Sequence, residues 1–302
     1  MPRTYFSPYG INNSTYANAG NANLGQYELG SYLELPDGRR YRFALNDGTA
    51  EVAGRLYQSV VTVANHNNVA VNAARAIGVS IISATLGATA AAIDIYAEGM
   101  AHTNNDTGES YAFRIRRAMT AGFAHAAAAT SSVLTVNLEA GETLQVAVDT
   151  TTEMSFTRNR FHQVLITAAP PTGGLAGVSP GVAAADRFYW SQVKGYAAVL
   201  VDGTAFEGLP VMASIATAGA VEARARRVRT GGTITVASPT VGVGQLTDRD
   251  GAVVASMLSD ISTSVATSVD ISGGIAVNAP DVGMCIKPNA NGEEALIDLH
   301  LE

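Results

Sequence analysis

The stretch that most directly indicates the fold is residues 82–117, ISATLGATAAAIDIYAEGMAHTNNDTGESYAFRIRR. Apolar and polar side chains roughly alternate over 93–100 and again over 111–115, and the polar segment 104–109 separates the two runs. Alternation with a period of two is typical of strands, and clustered Asn, Asp and Gly are typical of turns, because these residues tolerate left-handed backbone. The stretch therefore predicts a β-hairpin with strands over 93–100 and 111–115.

Short alternating runs separated by polar turns continue in both directions from this hairpin. Tyr41, Phe43 and Leu45 alternate with polar or small residues directly after the turn sequence at 36–39, PDGR. Later runs have the same character: 188–190, 196–201 and 295–301. Closely spaced short strands with frequent turns predict a mainly β fold of antiparallel sandwich or barrel units.

One segment departs from this pattern. Apolar side chains between 250 and 266 recur at the 3.6-residue spacing of a helix: Val253, Val254, Met257, Leu258, Ile261 and Val265. The spacing predicts one short amphipathic helix over 250–266.

Composition divides the chain into four parts. Residues 1–31 are rich in Asn, Gly, Tyr and Ser and have no periodicity, which predicts an extended N-terminal arm. A β domain is expected over 32–170, and the Pro/Gly-rich segment 171–182 is expected to link it to a second β domain over 183–302.

The low share of charged residues and the negative net charge limit the kinds of partner that we expect. Charged residues make up 15% of the 302 residues, against a typical share of about 25%, so we expect large surfaces that face other subunits. The net charge of −7 argues against direct nucleic-acid binding. The single cysteine, Cys285, excludes an intrachain disulfide and is expected to be buried. With no signal peptide and no apolar membrane-spanning stretch in the sequence, we expect a protein made in a reducing cytoplasm without membrane contact.

The sequence contains one motif with a catalytic precedent. Residues 177–181, GVSPG, match G-x-S-x-G, but the residue after the serine must supply a backbone N–H, and Pro180 has none. The five histidines do not have metal-ligand spacing: His66, His102, His125, His162 and His300. We therefore expect no catalytic residue, no cofactor and no metal site.

Two groups of residues are candidates for contacts with other proteins. The first is the set of arm aromatics, which either dock onto another surface or pack on their own domain: Tyr5, Phe6, Tyr9, Tyr16 and Tyr27. The second is a cluster of arginines, which lie either on solvated strand edges or at subunit contacts: Arg224, Arg226, Arg227 and Arg229. Two smaller arginine clusters have the same alternatives: Arg39, Arg40 and Arg42, and Arg114, Arg116 and Arg117.

Several segments in order along the chain resemble a known family. The first of them are 37–39 with 41–43, 85–90 with Tyr96 and Gly99, 108–111, and 159–161. The second half adds 189–192, 197–203, 219–221, 281–283 and 293–299. Together these segments resemble the head decoration (cement) proteins of tailed bacteriophages over most of residues 35–302. Residues 230–280 look like an insertion relative to that pattern, and the arm lies outside it.

The resemblance implies a structural virion protein on the outer capsid surface, without enzymatic activity and often assembled as a homotrimer. The expected function is to decorate and cement the shell by bridging neighbouring subunits, with the major capsid protein and further copies of itself as partners. The alternatives are another phage structural component, such as a tail, fibre or major shell protein, or a carbohydrate-binding β protein.

Overall fold

The computed structural model describes residues 27–117, 124–224 and 279–302, which all belong to one compact unit. The strands are β1 Tyr32–Glu34, β2 Arg40–Leu45, β3 Leu56–Gln58, β4 Val69–Ala70, β5 Ile81–Thr85, β6 Met100–Asn105, β7 Ala112–Arg114, β8 Val133–Asn137, β9 Glu153–Thr157, β10 Leu165–Ile166, β11 Leu175–Val178, β12 Phe188–Asp202, β13 Pro210–Ala213, β14 Val221–Ala223, β15 Asp281–Lys287 and β16 Glu294–His300. A 3-10 turn at Ala64–His66 is the one helical element among these residues. The predicted mainly β fold is confirmed.

The largest sheet is organised around β12, whose fifteen residues pair with different neighbours along its length. Its first half, from Phe188 to Lys194, pairs with β2, and its second half, from Lys194 to Leu200, pairs with β16. Strands β11, β3 and β10 extend the same sheet on the other side. One strand therefore joins two sub-assemblies, which the sequence shows as two separate runs at 188–190 and 196–201.

Five strands of this sheet close into a barrel. The hydrogen-bonded order β12-β14-β13-β15-β16 returns to β12 through the β12–β16 pairing. The β12–β14 contact is parallel and the other four are antiparallel. The barrel interior is filled by aliphatic and small side chains, among them Val199, Ile297 and Cys285, all 0% exposed. Cys285 is thus buried, as predicted.

Strands β3 and β10 pair with each other, and residues 59–164 connect them. This connection contains two smaller sheets, of order β4-β9-β6-β7 and β5-β8. We call residues 69–157 the small-sheet lobe. A continuous core fills it, with Tyr96, Phe113, Phe156 and Leu134 almost fully buried. A third core, around Phe43, Phe188 and Trp190, packs under β2 and the first half of β12.

The hairpin predicted from 82–117 exists, but its first strand is displaced. Strands β6 and β7 pair with Met100 opposite Arg114, whereas 93–99 forms successive turns. Asp94 and Glu98 have φ of 55° and 59° there, and the Asp94 Oδ1 accepts the N–H groups of Ala124 and His125. A side chain that caps a neighbouring segment has replaced the strand that alternation predicted.

The segment 171–182, which the sequence predicts as a linker, contains a strand of the large sheet. The segment assigned to a linker, 171–182, contains β11, which is buried and pairs with β3 and β12, so one sheet uses strands from both sides of it. The helix predicted over 250–266 and most of the arm lie outside the described residues, as does most of the insertion at 230–280. Within the described ranges, no helix is long and apolar enough to span a membrane.

Candidate functional site

An exposed row of side chains crosses the outer surface of the barrel. The register places Tyr196 of β12 opposite Asp298 of β16, Asp298 opposite Met284 of β15, and Met284 opposite Pro210 of β13. Partners directly opposite in a ladder have their side chains on the same face. Tyr196 is 56% exposed and Met284 is 38% exposed. We call Tyr196, Pro210, Met284, Asp298 and the neighbouring His300 the barrel face.

The barrel face contains a shallow concavity. It is lined by Pro210, Asp281, Gly283, Met284 and His300. Gly283 is required because a Cβ there would lie 2.0 Å from the Asp298 carbonyl oxygen.

Two further apolar side chains are exposed in the turn before β13. They are Phe206 and Leu209, which are 55% and 41% exposed. The turn is held against β15 by the Gly208 N–H to the Cys285 carbonyl and by the Cys285 N–H to the Leu209 carbonyl.

Charged groups of both signs lie at this surface. Asp298 lies 3.6 Å from His300 Nε2, and Asp281 forms a 3.0 Å ion pair with Arg224. Glu207 is close enough to Cys285 that its charge, after burial, raises the pKa of that thiol. The surface therefore combines apolar side chains with acidic and basic groups.

The predicted arm aromatics fall into two groups. Tyr5, Phe6, Tyr9 and Tyr16 lie outside the described residues. Tyr27 packs on its own chain, with its ring centroid 5.4 Å from those of Phe43 and Trp190. Tyr27 therefore fixes the point at which the arm leaves the folded unit.

Each of the three arginine clusters contributes to ion pairs within the chain. In the first, Arg39 pairs with Asp37, Arg40 with Glu34, and Arg42 with Glu302. In the second, Arg114 pairs with Glu28 and Arg117 with Glu98. Arg224 of the third pairs with Asp281, and Arg226, Arg227 and Arg229 lie outside the described residues.

The second of these clusters also anchors the start of the described chain. Glu98 is 5% exposed, its Oε1 lies 3.2 Å from Arg117 Nε, and its other oxygen accepts the Leu29 N–H. Arg117 Nη2 donates to the Tyr27 carbonyl at 3.0 Å. Burial raises the pKa of Glu98 to about 7, against the smaller opposing effects of the Leu29 hydrogen bond and Arg117. The root of the arm is thus held by the small-sheet lobe as well as by the large sheet.

Ser179 of the GVSPG motif is buried and has structural partners. Its Oγ lies 2.8 Å from Glu51 Oε2 and 2.7 Å from the Gly181 carbonyl oxygen, and the serine is 1% exposed. Burial raises the pKa of Glu51 to about 8, so Glu51 is protonated near neutral pH and donates to Ser179, which donates to Gly181. A serine enclosed in this way and followed by Pro180 cannot act as an accessible nucleophile.

The small-sheet lobe buries a second polar group. Tyr96 hydroxyl contacts His66 Nδ1, and His125 Nε2 accepts the Tyr96 N–H at 3.0 Å. Burial lowers the pKa of His125, so it accepts this bond as a neutral ring. Among the ranges that the structure describes, no three His, Cys, Asp or Glu side chains are grouped to hold a metal ion.

Sequence reasoning did not find the barrel face. The alternation around Tyr196 indicates only that its side chain lies on the polar face of the strand. The row exists because four strands that are distant in the sequence align in register, and no single segment contains that information.

The fold and this surface define an all-β protein that presents an apolar face on a closed barrel. No protein-family model matches the chain, and no curated protein and no solved structure shows significant similarity to it.

Proposed function

We propose that this chain is a structural virion protein that binds an assembled capsid shell and bridges neighbouring subunits. In this proposal the protein acts by binding rather than by catalysis. It lies on the outer capsid surface, and its partners are the major capsid protein and further copies of itself.

The observation that carries an interaction role is the number of large apolar side chains that stay exposed on several strands and loops. They include Tyr32, Val52, Val61, Ile77, Tyr111, Val133, Val182, Tyr196, Phe206 and Ile215. Single exposed apolar residues are normal on a monomer, but a set of this size on a chain with 15% charged residues favours burial against partners.

The choice of a capsid shell as the partner rests on the ordered resemblance in the sequence. Several of the segments that carry it are structural elements: 37–43 covers the turn before β2 and most of that strand, 189–203 covers most of β12, and 293–299 covers most of β16. These elements are adjacent, because β12 pairs with both β2 and β16.

The mechanism follows from mass action. A ligand that binds the assembled shell and not the free subunits shifts the equilibrium toward the shell. Attachment through several copies would multiply modest contacts, because each bound copy raises the effective concentration of the next.

The first prediction concerns the arm. A variant that lacks residues 1–26 keeps Tyr27, which packs against Phe43 and Trp190, so its folded unit should stay intact. We expect the full chain to co-sediment with purified shells and the shortened chain to remain in the supernatant, because the arm aromatics supply anchors.

A full-length variant with Tyr5, Phe6, Tyr9 and Tyr16 changed to Ala is the matched control for chain length. It should also fail to bind if the aromatic side chains are the anchors. Equal occupancy by the shortened chain, or no binding by the full chain, would refute this proposal.

A further inference from the structure

The barrel face can be contacted only through side chains. Its strands β12, β16, β15 and β13 form part of a closed ring in which each strand is paired on both sides. An added strand is the usual way for a peptide to bind a sheet, but it needs an unpaired edge, and the ring offers none. The occupant must therefore place side chains into the concavity between Pro210 and Met284.

The concavity favours an aromatic side chain with a polar tip. Its walls, Pro210 and Met284, are apolar, and Met sulfur contacts aromatic rings favourably. His300 and Asp281 at the border offer hydrogen-bonding groups to a phenol hydroxyl. Tyrosine combines these two properties.

The N-terminal segment has the matching chemistry. Residues 1–26 contain Tyr5, Phe6, Tyr9 and Tyr16, and their charged side chains are limited to Arg3, without a single carboxylate. The carboxylates beside the barrel face are Glu207, Asp281 and Asp298, which repel an acidic segment and accept a basic one.

The segment is also long enough to reach beyond its own folded unit. Tyr27 is fixed against Phe43 and Trp190, and 26 extended residues span at most about 85 Å. A compact unit of about 200 residues has a radius of gyration of only about 17 Å. A neighbouring copy is therefore within reach.

We propose that residues 1–26 of one copy bind the barrel face of a neighbouring copy, with an arm tyrosine in the concavity between Pro210 and Met284. The contact deepens the proposed function, on which it rests for the role of the arm, by naming a second copy of this chain as the receiver. Head-to-tail exchange of arms links copies through repeated use of the same two surfaces.

The test is disulfide cross-linking of the full chain in the absence of shells. In a Cys285→Ala background, Met284→Cys is combined in turn with Tyr5→Cys, Tyr9→Cys and Tyr16→Cys, and covalent products are separated on a denaturing gel after mild oxidation. We expect covalent multimers for at least one arm position, with a yield at least about tenfold above the control because docking raises the local thiol concentration.

The matched control places the cysteine at Thr150, which is exposed and lies in the turn before β9. Equal yields with Met284→Cys and Thr150→Cys, products linked only within one chain, or no products would each overturn the proposal. Far-ultraviolet circular dichroism and the emission of Trp190 identify any variant that has lost its fold.

A second measurement does not depend on introduced cysteines. Tyr196→Asp places a charge on the barrel face, and we expect it to weaken self-association by at least about tenfold, measured by light scattering against concentration. Thr150→Asp should leave self-association unchanged, and an unchanged mass for Tyr196→Asp would contradict the proposal. Because no shell is present, failure here leaves the shell-binding experiment unaffected.

Discussion

Two regions of the molecule bury ionisable side chains of opposite kinds: histidines in and beside the small-sheet lobe, and Glu51 in the large sheet. The lobe buries His125, and His162 of the adjoining segment lies near it and is 3% exposed. The large sheet buries Glu51 beside Ser179 and Tyr189. Burial penalises the charged form in both cases, so it lowers the pKa of a histidine and raises that of a carboxyl group.

The buried histidine and the buried glutamate therefore respond to pH in opposite directions. Burial, with smaller effects of Arg158 and His125, lowers the pKa of His162 from 6.5 to about 3. The unfolded chain then binds the proton first, so stability is highest above pH 6.5 and is lost as the pH falls toward 3. Burial raises the pKa of Glu51 from 4.5 to about 8, so its contribution is highest below pH 4.5 and is lost as the pH rises toward 8.

The largest expected effect is acid destabilisation that originates near the lobe. Below pH 4.5 Glu51 stays protonated and its contribution is constant, whereas the buried His162 should lower the free energy of unfolding by about 1.4 kcal/mol for each pH unit. Denaturant unfolding at pH 3 to 7 measures this slope. His162→Gln should reduce it, because an amide fills similar space without titrating.

His102→Gln is the control for the acid slope, since His102 lies on β6 in partial contact with solvent. The control should leave the slope in place. An unchanged slope in His162→Gln would show that acid sensitivity does not come from this histidine.

The next effect is a loss of stability on the alkaline side that originates in the large sheet. Glu51→Gln keeps the shape of the side chain and cannot ionise, so the decline between pH 6.5 and 8, of order 1 kcal/mol per pH unit, should become shallower. Glu98 at the arm root, with a pKa raised to about 7, contributes a separate part of the same decline. Thermal unfolding across this range, for Glu51→Gln and for Glu98→Gln, separates the two contributions.

Ser179→Ala separates the effect of Glu51 ionisation on stability from the effect of the hydrogen bond between Glu51 and Ser179. The variant should lose about 1 to 3 kcal/mol of stability at all pH values, because it removes two hydrogen bonds of the buried Ser179 hydroxyl, to Glu51 and to the Gly181 carbonyl. The alkaline slope should persist, since Glu51 stays buried. A Glu51→Gln protein that retains the full slope would disprove the assignment to the large sheet.

Local alternation predicted many strands but not their partners. Tyr41, Phe43 and Leu45 form β2 as expected, and all three are buried. The alternating run at 93–100 fails because Asp94 caps the segment at 124–125 and holds 93–99 in turns. Period-two patterns report local preference, and a tertiary hydrogen bond from a side chain can override them.

The candidate site was less predictable than the fold for the same reason. The sequence correctly placed Cys285 in the core, because free thiol side chains are usually buried. The pairings of Arg42 with Glu302 and of Glu51 with Ser179 join residues more than a hundred positions apart. Such contacts follow from sheet register, which one sequence without relatives does not specify.

The smallest expected effect lies outside both buried groups, at the Arg224–Asp281 pair where the segment 225–278 leaves and rejoins the barrel. Both side chains are more than half exposed, so solvent screens their attraction and Arg224→Ala should change the free energy of unfolding by less than about 0.5 kcal/mol. Asp281→Asn should have an equally small effect on urea unfolding at 0.15 M salt. If either variant lost well above about 1 kcal/mol of unfolding free energy, this exposed pair would be needed to hold the barrel together. The difference between the two regions would then depend on exposed ion pairs as well as on buried groups.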